Sequence, residues 1–132
     1  MAYIETALRS IALAHTGTAA LIVARYYARG EEPQKPTLPY LAAQRISTGR
    51  NHAMGADTGL VEALVQISIV AVSYTACLAL GAQLLDALQD YSGTSETVVI
   101  QRVFVENEID LGYDYETARH SRVMEFRVCH LE

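Results

Sequence analysis

Odd positions from Val61 to Ala71 are apolar without exception: Val61, Ala63, Val65, Ile67, Ile69 and Ala71. The even positions between them include Glu62, Gln66 and Ser68. A period of two with β-branched residues predicts a strand with one fully buried face. The period then changes. Cys77, Gly81, Leu84, Leu88 and Tyr91 recur at helical spacing, with Gln83, Asp86 and Asp90 on the other side. This predicts an amphipathic helix over about residues 75–91, with Ser73 or Thr75 as its N-cap. From Ala63 to Leu85 no side chain is charged, and these 23 residues are long enough to cross a bilayer. The switch of period argues against a membrane span. So do Gln66, Ser68 and Gln83, and the lack of Lys or Arg from Asn51 to Gln101 to anchor its ends.

The flanking chain fills in the rest. Ile4, Leu8 and Ile11 make an apolar stripe that predicts a helix over residues 3–15, with Glu5 and Arg9 as a surface i,i+4 pair and Gly17 as its stop. Thr18–Val23 reads as a further helical turn before a short strand at Ala24–Ala28. Gly30–Pro39 holds all three prolines and reads as a linker. A strand follows at Tyr40–Ser47, then a long exposed loop from Thr48 to Gly59. Ser92–Ser95 breaks the chain. Thr97–Ile109 reads as a strand, Asp110–Glu116 as a turn or loop, and Ser121–Leu131 as the last strand, with Met124, Phe126, Val128 and His130 inward. The fold class is α+β. It is a mostly antiparallel sheet of four to five strands, with the N-terminal helix and the second helix packed on one face.

At 132 residues the chain forms one domain, residues 1–132. Its net charge of −5 is unlike that of a protein held by phosphate contacts. The charge is split: six Lys/Arg against three Asp/Glu in residues 1–50 give +3, and four against twelve in 51–132 give −8. Such a bipolar subunit suits stacking or ring formation. Cys77 and Cys129 sit in apolar sequence and read as free thiols. Met1-Ala2-Tyr3-Ile4-Glu5 lacks the basic start and apolar core of a signal peptide.

Chemistry is sparse. His15, His52, His120 and His130 are scattered without metal-ligand spacing, and neither cysteine has a second soft ligand nearby. No nucleophile elbow or P-loop occurs. The chain therefore predicts no catalytic, cofactor or metal site. Arg45, Arg50 and His52, with Asn51 among them, form a small basic group suited to an acidic partner. Glu106, Glu108 and Asp110 lead the densest run of carboxylates, read as a solvated hairpin tip. Many tyrosines, Tyr26, Tyr27, Tyr40, Tyr113 and Tyr115 among them, suit subunit contacts as well as strand filling.

The succession of these segments resembles the tail-completion proteins of long-tailed phages, also called tail terminators or head–tail joining proteins. The resemblance runs through Arg25-Tyr26-Tyr27, the strand start Leu38-Pro39-Tyr40-Leu41 and its continuation Gln44–Ser47. It goes on through Gly59-Leu60-Val61, Val65–Ser68, Ser73-Tyr74-Thr75 and the Ala/Leu helix from Ala76 to Leu88. It ends in the acidic Asp114-Tyr115-Glu116 and the strand Arg122–Val128. It covers nearly the whole chain. It departs at Thr18–Ala28, which lacks the family's glycine pair, and at the charged, proline-rich Gly30–Thr37.

The resemblance implies a structural virion part without enzymatic activity or cofactor. Such a protein forms a homohexameric ring that completes the tail tube and joins it to the head. Its partners are the tube protein on one side and the head–tail connector or stopper on the other. DNA passes the bore without specific binding, and no membrane is involved. Its place is the tail or neck of the virion, assembled in the host cytoplasm. The candidate interaction residues are Arg45, Arg50, Asn51, His52, Glu106, Glu108 and Asp110, the last three facing the channel or the tube. The rival readings are another neck or minor tail component, or a cytosolic ligand-binding α+β domain with an enclosed pocket.

Overall fold

A computed structural model describes residues 3–22, 25–28, 38–53, 56–96, 98–116 and 118–131, with backbone alone over 50–53 and 56–60. In it the alternating stretch is a strand, and its odd positions from Val61 to Ala71 are all 0–1% exposed. Among the described residues the order is α1 (Ile4–Ala14), α2 (Thr16–Ile22), β1 (Tyr26–Ala28), β2 (Tyr40–Ala53), β3 (Ala56–Ala71), α3 (Tyr74–Leu88), β4 (Gly93–Ser95), β5 (Val98–Asp114) and β6 (Arg119–Leu131). The switch of period falls where expected. Ser73 is the N-cap of α3, its hydroxyl accepting from the Ala76 N–H at 3.2 Å. No described helix is long and apolar enough to cross a membrane.

The strands form one sheet in the order β1-β2-β3-β6-β5-β4. It has six strands, not four or five, and it is mixed: β1 runs parallel to β2 at one edge, and the other pairs are antiparallel. The strand not foreseen is β4, three residues at one edge and too short to leave a periodic signal; β1 falls within the short strand expected at Ala24–Ala28. The sheet buries one face against the helices. Val65 lies opposite Phe126, Ile67 opposite Met124 and Ala63 opposite Val128. All six join Leu80, Leu84 and Leu88 of α3 and Ile4 and Leu8 of α1 in one core. The helix lies close on the sheet, since a Cβ on Gly81 would rest 3.5 Å from both Ile69 and Met124. Tyr26 of β1 is sunk in the same core, and burial pushes its phenol pKa well above the ordinary value.

Several local expectations fail for identifiable reasons. Gly17 does not stop a helix. His15 ends α1, and Gly17 lies inside α2, where a Cβ would displace the side-chain amide of Gln83. The ring of His15 accepts the Thr18 N–H at 3.2 Å and meets Asp86 of α3 at 2.9 Å, so one imidazole caps α2 and ties it to α3. Glu5 and Arg9 do not pair with each other. Glu5 is held by Arg45, and Arg9 donates to the Tyr26 carbonyl at 3.1 Å. Within the stretch Thr48–Gly59, residues 48–53 and 56–59 are strand and not loop. The β2–β3 ladder runs out to Ala53 opposite Ala56, with Gly49 paired to Glu62, because backbone pairing across the hairpin outweighs the glycines. Asp110–Asp114 is likewise strand. Gly112 sits at a register shift with φ +94, a bulge conformation that suits glycine. The greater part of the proline-rich linker, residues 30–37, lies outside the described residues.

Candidate functional site

β5 is paired with β6 from Ile100 to Asp114, but only the first half of β5 is core. Val98, Ile100 and Val103 are buried, whereas residues 106–114 of β5 are all exposed. The outer half of β5 is an exposed edge arm of the sheet; β6 beside it stays paired with β3 as far as His120 and lies under the start of α3. Its partner residues in β6 are better covered, with Val123 and His120 buried.

Cross-strand arginines hold the arm. Arg122 donates to Asp110 at 2.8 and 2.9 Å and to Glu108 at 3.1 Å. Its side chain is only 13% exposed. A charge so covered must be paired, and the hydrogen bond to Asp110 holds the Arg122 pKa above its ordinary value. Arg127 donates to Glu106 at 2.6 Å and lies 3.6 Å from Glu62 of β3. The bond to Glu106 raises the Arg127 pKa in the same way. The three candidate carboxylates are therefore not a freely solvated tip; each is bound to an arginine of β6. Glu108 and Asp110 share one arginine, while Glu106 has a separate one.

Beyond these pairs the arm is apolar and aromatic. Ile109, Leu111, Tyr113 and Tyr115 are 40–88% exposed. Tyr113 and Tyr115 meet edge to face at 4.9 Å, and Tyr74, at the start of α3, meets His120 in the same manner at 5.2 Å. The Nε2 of His120 is 3.8 Å from Asp110, too far for a hydrogen bond. On the sheet face opposite the helices, Leu111 and Val123 line a shallow groove of about 260 Å³ with Tyr40, Ala42, Gln66, Ser68, Val70 and Ser121. The outward-facing apolar residues Tyr40, Ala42 and Val70 form a second small cluster there.

The basic candidates lie on the other side of the sheet. Arg45 of β2 is bound to Glu5 at 2.6 and 3.2 Å and reaches the Thr48 hydroxyl at 3.3 Å, so it fastens β2 to α1. Arg50, Asn51 and His52 follow along β2, near the end of the β2–β3 hairpin; only their backbone is described. The structure does not bring this group together with Glu106, Glu108 and Asp110, because β3 and β6 stand between β2 and β5.

Among the described residues no group of three or more His, Cys, Asp or Glu is placed to hold a metal. Cys77 is buried and Cys129 half-buried, both free, and burial raises both thiol pKa values. Inspection of the sequence missed Ile109, Leu111, Arg122 and His120. A signal was there: Asn107, Ile109, Leu111 and Tyr113 alternate with Glu108, Asp110, Gly112 and Asp114. That is strand period carried on through the acidic run.

The fold is of the α+β class, a six-stranded sheet backed by helices on one face and carrying a shallow groove on the other. The family model for the tail completion protein gp17 matches residues 6–131. The chain belongs to that family, and it is a structural protein of the phage tail. Its fold is similar to that of a chain in the virion of a native gene transfer agent particle, with a TM-score of 0.80 at 14% identity, covering 98% of this chain and 95% of that one. No curated protein matches the sequence.

Proposed function

We propose that the protein is a non-catalytic subunit that assembles into a ring of six copies. The ring completes the tail tube and joins it to the connector or stopper of the head, within the virion tail or neck, after assembly in the host cytoplasm. The observation that carries this reading is membership of the tail completion family across residues 6–131. The arm supports it. A lone protomer gains little from nine consecutive exposed strand residues that include Ile109, Leu111 and Tyr113, whereas a subunit that meets neighbours buries them.

In this reading the contacts fall on the two sides of the sheet. Arg45, Arg50, Asn51 and His52 lie along β2 and its hairpin; Glu106, Glu108 and Asp110 lie on the β5–β6 arm. Residues 101–127 hold six carboxylates against four arginines, a net −2. Turned toward the bore, that surface repels DNA weakly and lets it slide. The test is the mass of the purified chain and its position on tail tubes by electron microscopy. Six copies in a ring at the head-proximal end of the tube is the expected result. A chain that stays monomeric and leaves tube ends bare overturns the reading.

A further inference from the structure

The core accounts for only part of the uncharged run Ala63–Leu85. Its odd strand positions are buried against the helices, and Cys77, Leu80, Gly81 and Leu84 of α3 are buried against the sheet. The remaining positions face away from that core, where charged side chains are ordinarily found. On β3 they are Leu64, Gln66, Ser68 and Val70. On α3 they include Tyr74, Leu78, Ala79 and Ala82, all exposed. Tyr74 is 49% exposed and Leu78 39%, and Val72 just before the helix is 60% exposed. A helix apolar on its outward side as well as its inward one is ordinarily buried.

The two uncharged surfaces lie on opposite sides of the protomer. The sheet surface is four strands wide. Ala42, Ser68, Val123 and Ile109 stand in one row across β2, β3, β6 and β5. Tyr40, Val70 and Ser121 form the next row. Leu111 walls the groove of about 260 Å³ between them. None of these side chains is charged, and the first charge along β6, Glu125 opposite Gln66, lies beyond both rows. Four strands span about 14 Å at a spacing of about 4.8 Å, enough to seat one helix about 10–12 Å across. On the helix, Tyr74 and Leu78 stand one turn apart as knobs, while Ala79 and Ala82 let its backbone come close. The groove's apolar walls suit a tyrosine ring, and Gln66, Ser68 and Ser121 can bond its hydroxyl.

A second copy is the partner that covers both surfaces, since each protomer then gives α3 to one neighbour and its sheet to the other. A foreign protein on either surface leaves the other bare. The contact is heterologous, the kind that closes into rings. It draws on none of the ion pairs of Arg45, Arg122 and Arg127, which stay as they are within each copy. We infer that the outward face of α3 from Tyr74 to Ala82 seats on the sheet groove of Val70, Val123 and Leu111 in a second copy of this chain. This rests on the ring reading and specifies its joint.

The experiment uses the full chain carrying Cys129→Ser, with Leu78→Cys on α3 and Leu111→Cys on β5, both positions exposed. Assembled rings are treated with a short bismaleimide and run on a denaturing gel. A link within one copy adds no second chain, so a ladder of covalent multimers reports contact between copies. The double variant gives that ladder, and each single variant stays monomeric. Leu78→Cys with Ser68→Cys repeats the test at the centre of the sheet face. Rings that form without a ladder in either pair overturn the joint and leave the ring standing. Dimers from Leu78→Cys alone place α3 on α3 and also overturn it. Leu78→Lys gives a reading free of cysteines: ring assembly should fall about tenfold or more at an unchanged urea midpoint, and full assembly overturns the joint. A parent chain that forms no rings, alone or on tubes, overturns the joint and the ring reading together.

Discussion

The inner and outer halves of the β5–β6 ladder are paired strand to strand in the same way, yet different forces hold them. In the inner half Val103 faces Val128 and Val105 faces Phe126, under α3. Removal of apolar surface from water supplies the stability there. In the outer half Glu108 and Asp110 share Arg122, and Glu106 binds Arg127. Water reaches these pairs, so each contributes little on its own. The comparison teaches how an edge strand can leave the core without fraying: β6 beside it stays buried against β3, and the cross-strand ion pairs occupy the polar side chains of β5. It also leaves the arm's outward edge and its apolar residues for contact with another surface.

The strongest way to break the comparison is to open the inner half. Phe126 is fully buried opposite Val65 and Val105. Phe126→Ala should cost about 3–5 kcal/mol by loss of transfer energy and creation of a cavity. Urea denaturation followed by circular dichroism measures it. A cost near that of a surface change would mean the core does not run through β6 as described.

The next effect lies at the boundary. Arg122→Met keeps an aliphatic side chain on the strand beneath Gly81, whose Cβ would lie 3.8 Å from the Arg122 Nε, and removes the guanidinium. Glu108 and Asp110 are about 40% exposed and can turn to water, so the loss should be about 1–2 kcal/mol. Arg127→Met removes a more exposed pair and should cost about 0.5 kcal/mol, falling further in salt. Equal costs for the two would show that burial of Arg122 is not what distinguishes them.

Tyr26 sharpens the core side through pH. Its hydroxyl is buried with no hydrogen-bond partner among the described residues. Burial raises its pKa in the folded state, so the unfolded chain ionises first as pH rises. The stability held by the neutral phenol is complete below its ordinary pKa of about 10 and is lost as pH climbs above it. Tyr26→Phe should be as stable as the parent at pH 7, or more so by up to about 1 kcal/mol. Above pH 10 its stability should fall less steeply than the parent's. Parallel stability curves from pH 9 to pH 11 would count against a buried, unbonded phenol.

Much of the inner half was legible because burial leaves a period. Val61–Ala71 announced its strand and Cys77–Leu88 its helix, since every inward position had to be apolar or small. Of the two edges, β1 fell within the short strand read at Ala24–Ala28, whereas β4 was not legible. Three residues are too few to show a period, and β4 is placed by what it meets: Ser95 donates to the Ala7 carbonyl. The arm was misread because its polar residues satisfy each other across strands. Sequence shows Glu108 and Asp110 two residues apart, not the arginine twelve or fourteen residues on that binds both. Of the candidate site, the residues were visible but not their pairing, and Arg45 turned out to fasten α1 and not to stand free.

The smallest expected change in stability is the one that bears most on function. Leu111 is 63% exposed at the bulge beside Gly112. Leu111→Ser should alter protomer stability by no more than about 0.5 kcal/mol, as for other surface changes. It swaps an apolar side chain in the exposed outer part of the β5 edge for a polar one. If that edge meets a neighbour, the variant should keep the parent's urea midpoint and lose ring assembly on tail tubes, seen by electron microscopy and by sedimentation. Full assembly with an unchanged midpoint would show that the arm's exposed apolar residues serve no contact. A large drop in midpoint would show that Leu111 belongs to the covered groove of Tyr40, Val70 and Val123, and that the outer half owes more to burial than to its ion pairs.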